Sequence, residues 1–154
     1  GRKSWCESRD GTYLKTNPLQ NKMRINDMTI VTSKNHRNPT LKKVIEKLNF
    51  KDQIVMGSVG CKIASILSGD SNIYICLSLP GKSSPKDWDF AAPEAILKTA
   101  GGSLTYLDND ELSYGGSNFE QGGIIVATSD KFSHKSICSE IMQVIRKFDL
   151  YPFD

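Results

Sequence analysis

Hydroxyl, ammonium and imidazole groups follow one another in the stretch 32–36 (TSKNH). The stretch ends a short β-branched run, 28–32, which predicts a strand. Ser33, Lys34 and His36 together offer donors that suit a phosphate or a nucleotide. A polar surface loop would have the same composition, so both interpretations stay open on this segment alone.

A second cluster, 57–62 (GSVGCK), places two glycines immediately before a predicted helix. Backbone N–H groups at the start of a helix bind anions, especially where glycines leave the backbone accessible. We therefore expect Gly57 and Ser58 to face an anion, with Lys62 adding a positive charge. The alternative is a tight strand-to-helix turn that has no ligand.

The third cluster, Asp87-Trp88-Asp89, opens a small-residue segment, 90–100, that two glycines end. An acid in the first turn of a helix is stabilised by the helix dipole. Carboxylate oxygens are also ligands that Mg²⁺ prefers. Asp89 is the predicted metal ligand and Asp87 a solvated or supporting acid, whereas the alternative is an ordinary capped helix. In that helix we expect Pro93 to occupy the first turn, where its missing N–H has no cost.

The third cluster belongs to a longer pattern of a Trp-Asp pair, small residues, apolar pairs and a final Gly-Gly. This pattern resembles the C-terminal signature of the inositol monophosphatase superfamily, which are metal-dependent phosphatases. The matching positions are Trp88, Asp89, Ala91, Ala92, Ile96, Leu97, Ala100, Gly101 and Gly102. The resemblance implies that Asp89 binds Mg²⁺.

Two other positions resemble one branch of that superfamily, the 3'(2'),5'-bisphosphate nucleotidases. Ser33 and His36 match a Ser-Arg-Ser-His block that holds the nucleotide, with Lys34 in place of Arg. Lys62 matches a lysine that reaches the substrate phosphate. The resemblance implies a hydrolase of sulfur metabolism that removes the 3'-phosphate of 3'-phosphoadenosine 5'-phosphate or its phosphosulfate. An inositol monophosphatase, a sugar bisphosphatase and a non-catalytic nucleotide-binding module are the alternatives.

Two family motifs are absent from the sequence: a Glu-Glu pair and Asp-Pro-x-Asp-Gly-Thr, which supply the other metal ligands. The resemblance covers nearly the whole chain but only the C-terminal half of the enzyme. We expect no catalytic residue in this half and no activity of the chain alone. Its expected partners are a phosphorylated nucleotide and an N-terminal half, on the same or a separate chain; a homodimer is also open.

Alternating strands and helices must position these clusters. Strands are predicted at 28–32, 53–56 (buried), 72–79, 103–107 and 124–128, and helices from 39, over 61–67 and 90–100, and after a cap at Ser129 or Ser133. This order predicts an α/β fold, a layered α/β/α sandwich with a mixed, largely parallel sheet. The family's C-terminal domain has this architecture. An Asp-Gly hairpin signal leads us to divide the chain into a junction hairpin and linker, 1–27, and a C-terminal α/β substrate-binding domain, 28–154.

The composition is that of a single globular domain. Its 154 residues include 38% hydrophobic and 24% charged residues, with a net charge of +3. The positive charge is too small and too dispersed to favour nucleic acid, and no apolar run approaches the roughly 18 residues of a membrane span. Four widely spaced cysteines without a CxxC pair, and no secretory signal, favour free buried thiols in the cytoplasm.

Overall fold

The strands that precede the three clusters belong to one five-stranded sheet. In the computed structural model of the chain, which describes residues 6–7, 10–14, 23–34, 38–116 and 118–153, its strands are β3 (Thr29–Ser33), β4 (Asp52–Met56), β5 (Ile73–Ser78), β6 (Ser103–Tyr106) and β7 (Gly123–Thr128). Their order across the sheet is β4-β3-β5-β7-β6. β3 is parallel to β4 and β5, whereas β7 is antiparallel to β5 and β6. The predicted mixed, largely parallel sheet is confirmed.

Helices cover both faces of the sheet. α1 (Pro39–Leu48) and α4 (Lys131–Lys147) pack on one face, and α2 (Val59–Ser68) and α3 (Asp87–Thr99) on the other. The buried side chains repeat at helical spacing. They are all apolar on α1, whereas on α3 the acids Asp87 and Glu94 are buried together with Phe90 and Leu97. The layered α/β/α sandwich is therefore as predicted.

A short hairpin precedes the sheet. β1 (Cys6–Glu7) and β2 (Tyr13–Leu14) pair antiparallel, and Gly11 between them has φ of +82°, a conformation that glycine adopts without strain. The hairpin signal in the sequence is therefore correct. The division into a junction, 1–27, and a domain, 28–154, stays a prediction.

The N-caps of α1 and α4 are local side chains, and the one at α4 differs from the prediction. Asn38 caps α1 as predicted, since its side chain accepts hydrogen bonds from the N–H groups of Thr40 and Leu41. α4 is capped by Asp130 rather than by a serine. The Asp130 carboxylate accepts from the N–H groups of Phe132 and Ser133 at 2.9 and 3.2 Å, which is the geometry of a helix N-cap.

β4 differs from the prediction in its burial. It is mostly exposed rather than buried, and Val55 is 49% exposed. The reason is its place at the edge of the sheet, where β3 is its one partner among the described strands. Apolar composition indicates a strand but does not say which strand is central.

The turn between α3 and β6 is tightly packed at Gly102. A Cβ on Gly102 would lie 2.6 Å from both the Leu97 side chain and the carbonyl oxygen of Thr128. Glycine at this position lets the end of α3 lie directly against β7. The Gly-Gly pair thus both ends the helix and fixes its distance from the sheet.

Candidate active site

Ser33, Lys34 and the 57–58 turn lie together at the end of the sheet where parallel strands β3 and β4 terminate. Ser33 is the last residue of β3 and pairs with Met56, the last residue of β4. Lys34 then donates its backbone N–H to Met56 O at 3.1 Å, which places it beside Gly57. Ligands of α/β sheets characteristically bind at the carboxyl ends of the strands.

The turn 57–58 leads directly into α2 and leaves backbone donors open. Ser58 is the N-cap, and its hydroxyl oxygen accepts from the N–H of Cys61 at 3.1 Å. Among the described residues, the N–H groups of Val59 and Gly60 have no acceptor. A Cβ on Gly57 would meet nothing within 4 Å. Free donors, a positive helix end and open space suit an anion.

Lys62 lies beneath this turn rather than above it. Its side chain is fully buried, and Nζ donates to the carbonyl oxygens of Gly57 and Ser58 at 2.6 and 3.1 Å. Burial lowers the pKa of Lys62, and interactions with Cys76, Cys61 and, least of the three, Asp89 partly oppose that change. The ammonium group therefore both fixes the turn and supplies positive charge below it.

Tyr74 forms the floor of the site, and sequence reasoning did not single it out. Nζ of Lys62 lies 5.2 Å from the centroid of its ring. Burial raises the pKa of Tyr74 well above its usual range, and the Ser33 hydroxyl interacts with its side chain. Alternation along β5 puts Tyr74 on the face covered by α2 and α3. The alternation in the sequence could have indicated the face of the sheet on which Tyr74 lies, but not its contacts with Lys62 and Ser33.

Lys34 and His36 are the other two candidate residues of the first cluster. The side chain of Lys34 is exposed to solvent at the end of β3. His36 lies outside the described residues, so its predicted role stays a prediction.

α3 begins three residues earlier than predicted, and this changes the setting of Asp89. Asp87 is the first helical residue and Asp89 the third, because Oδ2 of Asp89 accepts from the backbone N–H of Lys86 at 2.9 Å. Pro93 consequently lies inside the helix and not in its first turn. Since proline has no N–H, the usual bond from residue 93 to the Asp89 carbonyl is missing.

The Asp89 side chain is held but not enclosed. It is exposed to solvent, and its other carboxylate oxygen, Oδ1, accepts no hydrogen bond from the described part of the chain. One oxygen fixed by the backbone and one open to solvent suit an oxygen ligand of a hard cation. Within the described ranges, no three His, Cys, Asp or Glu side chains lie close enough together to hold a metal ion.

Asp87 is a supporting acid, and it is buried rather than solvated. Its Oδ2 accepts from the backbone N–H of Gly115 at 2.7 Å, and its Oδ1 from Nε2 of Gln121 at 2.6 Å. Both partners belong to the β6–β7 loop, residues 107–122. This loop is thereby fixed against the first turn of α3, beside Asp89.

The remaining observations concern membrane-spanning helices and the cysteines. Within the part of the chain that the structure describes, no helix combines the length and apolar character needed to cross a bilayer. Cys61, Cys76 and Cys138 are free thiols. Cys138 is buried as expected, whereas Cys61 is exposed because it lies on the outer side of the first turn of α2.

Comparison with known proteins points to one family. The model of the inositol monophosphatase family matches residues 1–146. The chain is 34% identical over 85 residues to 3'(2'),5'-bisphosphate nucleotidase 1 of Rattus norvegicus, covering 55% of this chain and 26% of that protein. It is 26% identical over 119 residues to the Golgi-resident adenosine 3',5'-bisphosphate 3'-phosphatase of Mus musculus, covering 73% of this chain and 32% of that protein.

A solved structure shows the same fold. Inositol monophosphatase II from Staphylococcus aureus superposes with a TM-score of 0.62 at 20% identity, over 94% of this chain and 51% of that chain. The chain thus spans about half of this structure and a smaller share of the curated relatives. With a family model that matches from residue 1 to residue 146, this chain belongs to the inositol monophosphatase family.

Proposed function

We propose that the chain is the C-terminal, substrate-binding half of a Mg²⁺-dependent 3'(2'),5'-bisphosphate nucleotidase. Its substrate is 3'-phosphoadenosine 5'-phosphate or the 5'-phosphosulfate, cleaved at the 3'-phosphate. One observation carries the proposal: Asp89, which has an open carboxylate oxygen, interacts electrostatically with Lys62, and Lys62 holds the 57–60 turn, whose first N–H groups have no acceptor among the described residues. The similarity to bisphosphate nucleotidases supports the choice of substrate.

The binding roles follow from the donors at the sheet edge. The free N–H groups that begin α2 and the Ser58 hydroxyl bind a phosphate. Lys62 contributes charge from beneath and keeps Gly57 and Ser58 in place. Ser33, Lys34 and His36 bind the nucleotide from the end of β3, where a lysine offers charge without the two-pronged geometry of arginine.

Asp89 is the residue of this chain that would hold Mg²⁺. Its anchored carboxylate, with one open oxygen, fits a cation that takes one or two carboxylates plus water and substrate phosphate. A bound Mg²⁺ would supply Lewis-acid stabilisation of the phosphoryl group and activation of water. One carboxylate does not complete such a site, so the remaining ligands and the group that orients water come from an N-terminal half.

The chain alone is therefore expected to be inactive. The test combines purified chain, Mg²⁺ and a separately made N-terminal half of a full-length bisphosphate nucleotidase, and measures phosphate released from 3'-phosphoadenosine 5'-phosphate. We expect release only from the mixture, and none from the Asp89→Asn variant. Asp110→Asn, which removes the same charge from an exposed position, is the matched control and should keep the activity.

Two results would change the proposal. Normal hydrolysis by the chain alone would refute the need for a second half. A preference for inositol 1-phosphate or a sugar bisphosphate over the adenosine substrate would place the chain in another branch of the family.

A non-catalytic nucleotide-binding module is the second candidate, because the described residues contain no group of three metal-binding side chains. Nucleotide binding by the chain, without activity in any mixture, would favour it. Activity that Asp89→Asn abolishes would exclude it.

A further inference from the structure

The side chain of Gln121, in the β6–β7 loop, makes three hydrogen bonds. It is almost completely buried, at 1% exposure. Nε2 donates to Oδ1 of Asp87 at 2.6 Å and to the carbonyl oxygen of Ser113 at 2.7 Å. Oε1 accepts from the hydroxyl of Tyr106 at 2.6 Å. Both donors and the acceptor of the amide are thus used, so its orientation is fixed.

The loop around Gln121 is hydrogen-bonded to residues 85–87, the segment that leads into the predicted metal ligand. The backbone N–H of Gln121 donates to the carbonyl of Pro85 at 2.8 Å, and the N–H of Asp87 donates to the carbonyl of Phe119 at 2.8 Å. The loop therefore runs alongside residues 85–87 in a strand-like pairing. The N–H of Lys86, in the middle of this segment, is the donor that holds Asp89.

A second contact joins the same two segments from outside. Nζ of Lys86 lies 2.8 Å from Oε1 of Glu120, and the rings of Trp88 and Phe119 lie 6.1 Å apart. These groups are partly exposed, from 32% for Lys86 to 67% for Trp88, so the buried amide of Gln121 contributes more to the rigidity of this contact.

We propose that Gln121 is a positioning residue for Asp89: it fixes the first turn of α3 through Asp87 and Pro85, and so sets the affinity of Asp89 for a divalent cation. The inference rests on the proposed function, because it takes Asp89 as a metal ligand. Gln121 is neutral and does not itself approach the metal. Its effect is mechanical, since it restricts the conformations available to the ligand before binding.

The test uses ¹⁵N-labelled chain mixed with the unlabelled N-terminal half that completes the proposed site, and the mixture is titrated with Mn²⁺. Line broadening of the amide signals of residues 86–90 gives the dissociation constant, and thermal unfolding gives Tm for the same samples. Gln121→Met keeps the size and charge of the side chain but removes its hydrogen bonds. We expect it to weaken Mn²⁺ binding about 3- to 10-fold, somewhat less than the 10–100-fold typical of groups bonded directly to a ligand.

Two further variants distinguish the positioning effect from a loss of charge and from a failure to fold. Tyr106→Phe removes only the hydrogen bond to Oε1 and should weaken binding about twofold, and it decides the matter if Gln121→Met does not fold. Asp110→Asn removes an exposed charge from the same loop and should leave the dissociation constant unchanged.

The outcomes are distinct. Weaker Mn²⁺ binding by Gln121→Met or Tyr106→Phe, with Asp110→Asn unchanged, supports the proposal. A lower Tm with an unchanged dissociation constant overturns it, because Gln121 is then only structural. If Asp89→Asn does not weaken Mn²⁺ binding by the mixture of the otherwise unaltered chain and the N-terminal half, the metal-binding role of Asp89 fails, and the positioning role fails with it.

Discussion

Acid should destabilise this protein through one buried histidine. His134 on α4 is 3% exposed. Its Nε2 lies 2.8 Å from the Thr105 hydroxyl and its Nδ1 2.8 Å from the Thr128 hydroxyl. Thr105 uses its own proton for the carbonyl of Tyr106 at 2.6 Å. The Thr128 hydroxyl also lies 3.2 Å from the carbonyl of Asp130, a longer and weaker contact than that of Thr105. We therefore assign the Nε2–H tautomer, with Thr128 donating to Nδ1. A neutral ring satisfies this arrangement.

The magnitude follows from the shift in pKa. Burial lowers the pKa of His134 from 6.5 to about 4. Between these values the unfolded chain binds a proton that the folded chain does not, so the stabilising contribution is complete above pH 6.5 and is lost as the pH falls. At 1.36 kcal/mol per pKa unit, folding loses about 3 kcal/mol between pH 7 and pH 4 through this residue.

Urea unfolding of the protein and of His134→Gln across this range measures the effect. Gln cannot titrate, so the stability difference between the two proteins should shrink by about 3 kcal/mol from pH 7 to pH 4, while carboxylates contribute equally to both. Lys135→Gln, an exposed neighbour on α4, is the control and should show a constant difference. A difference for His134→Gln that does not change with pH would refute the assignment of a neutral, buried ring.

Three further predictions concern packing, capping and reactivity. Gly102→Ala should lower the free energy of unfolding by about 1–3 kcal/mol, because its Cβ would meet the Thr128 carbonyl, whereas Gly116→Ala, which has open space, should be nearly neutral in the same urea assay. Asn38→Ala should cost about 1–2 kcal/mol, since it removes two cap bonds and a bond to the Leu77 carbonyl; no change would contradict the cap. Iodoacetamide should modify exposed Cys61 in the folded chain but not Cys138, because Cys138 is buried and its pKa is raised to about 12 by that burial. Peptide mass mapping measures the labelling, and equal labelling of the two thiols would contradict the burial of Cys138.

Local sequence predicted most elements correctly because their signals act within one or two turns. Asn38 followed by proline fixes the start of α1, and the cap bonds span only two or three residues. The start of α3 was misplaced for a related reason. The Asp87-Trp88-Asp89 segment reads as a preceding loop, but the Asp89 carboxylate closes the first turn by reaching back to Lys86.

Long-range contacts were outside the reach of sequence reasoning. Sequence reasoning left Asp87 as a solvated or supporting acid, and its supporting role depends on a glutamine 34 residues away. The status of β4 as an edge strand depends on the order of five strands. Lys62 was predicted to reach a phosphate, and its contact with the turn carbonyls became visible only with the backbone in place.

The sequence by itself determined the class of fold and the family resemblance, and it predicted Asp89 as a metal ligand, since periodicity, caps and a contiguous motif are local properties of the chain. Tertiary structure decided what surrounds that acid: a fixed first turn, a buried lysine and a loop held by Gln121. The physical reason is that hydrogen bonds between distant segments form only after the sheet and helices have brought those segments together, and residue spacing does not encode that geometry.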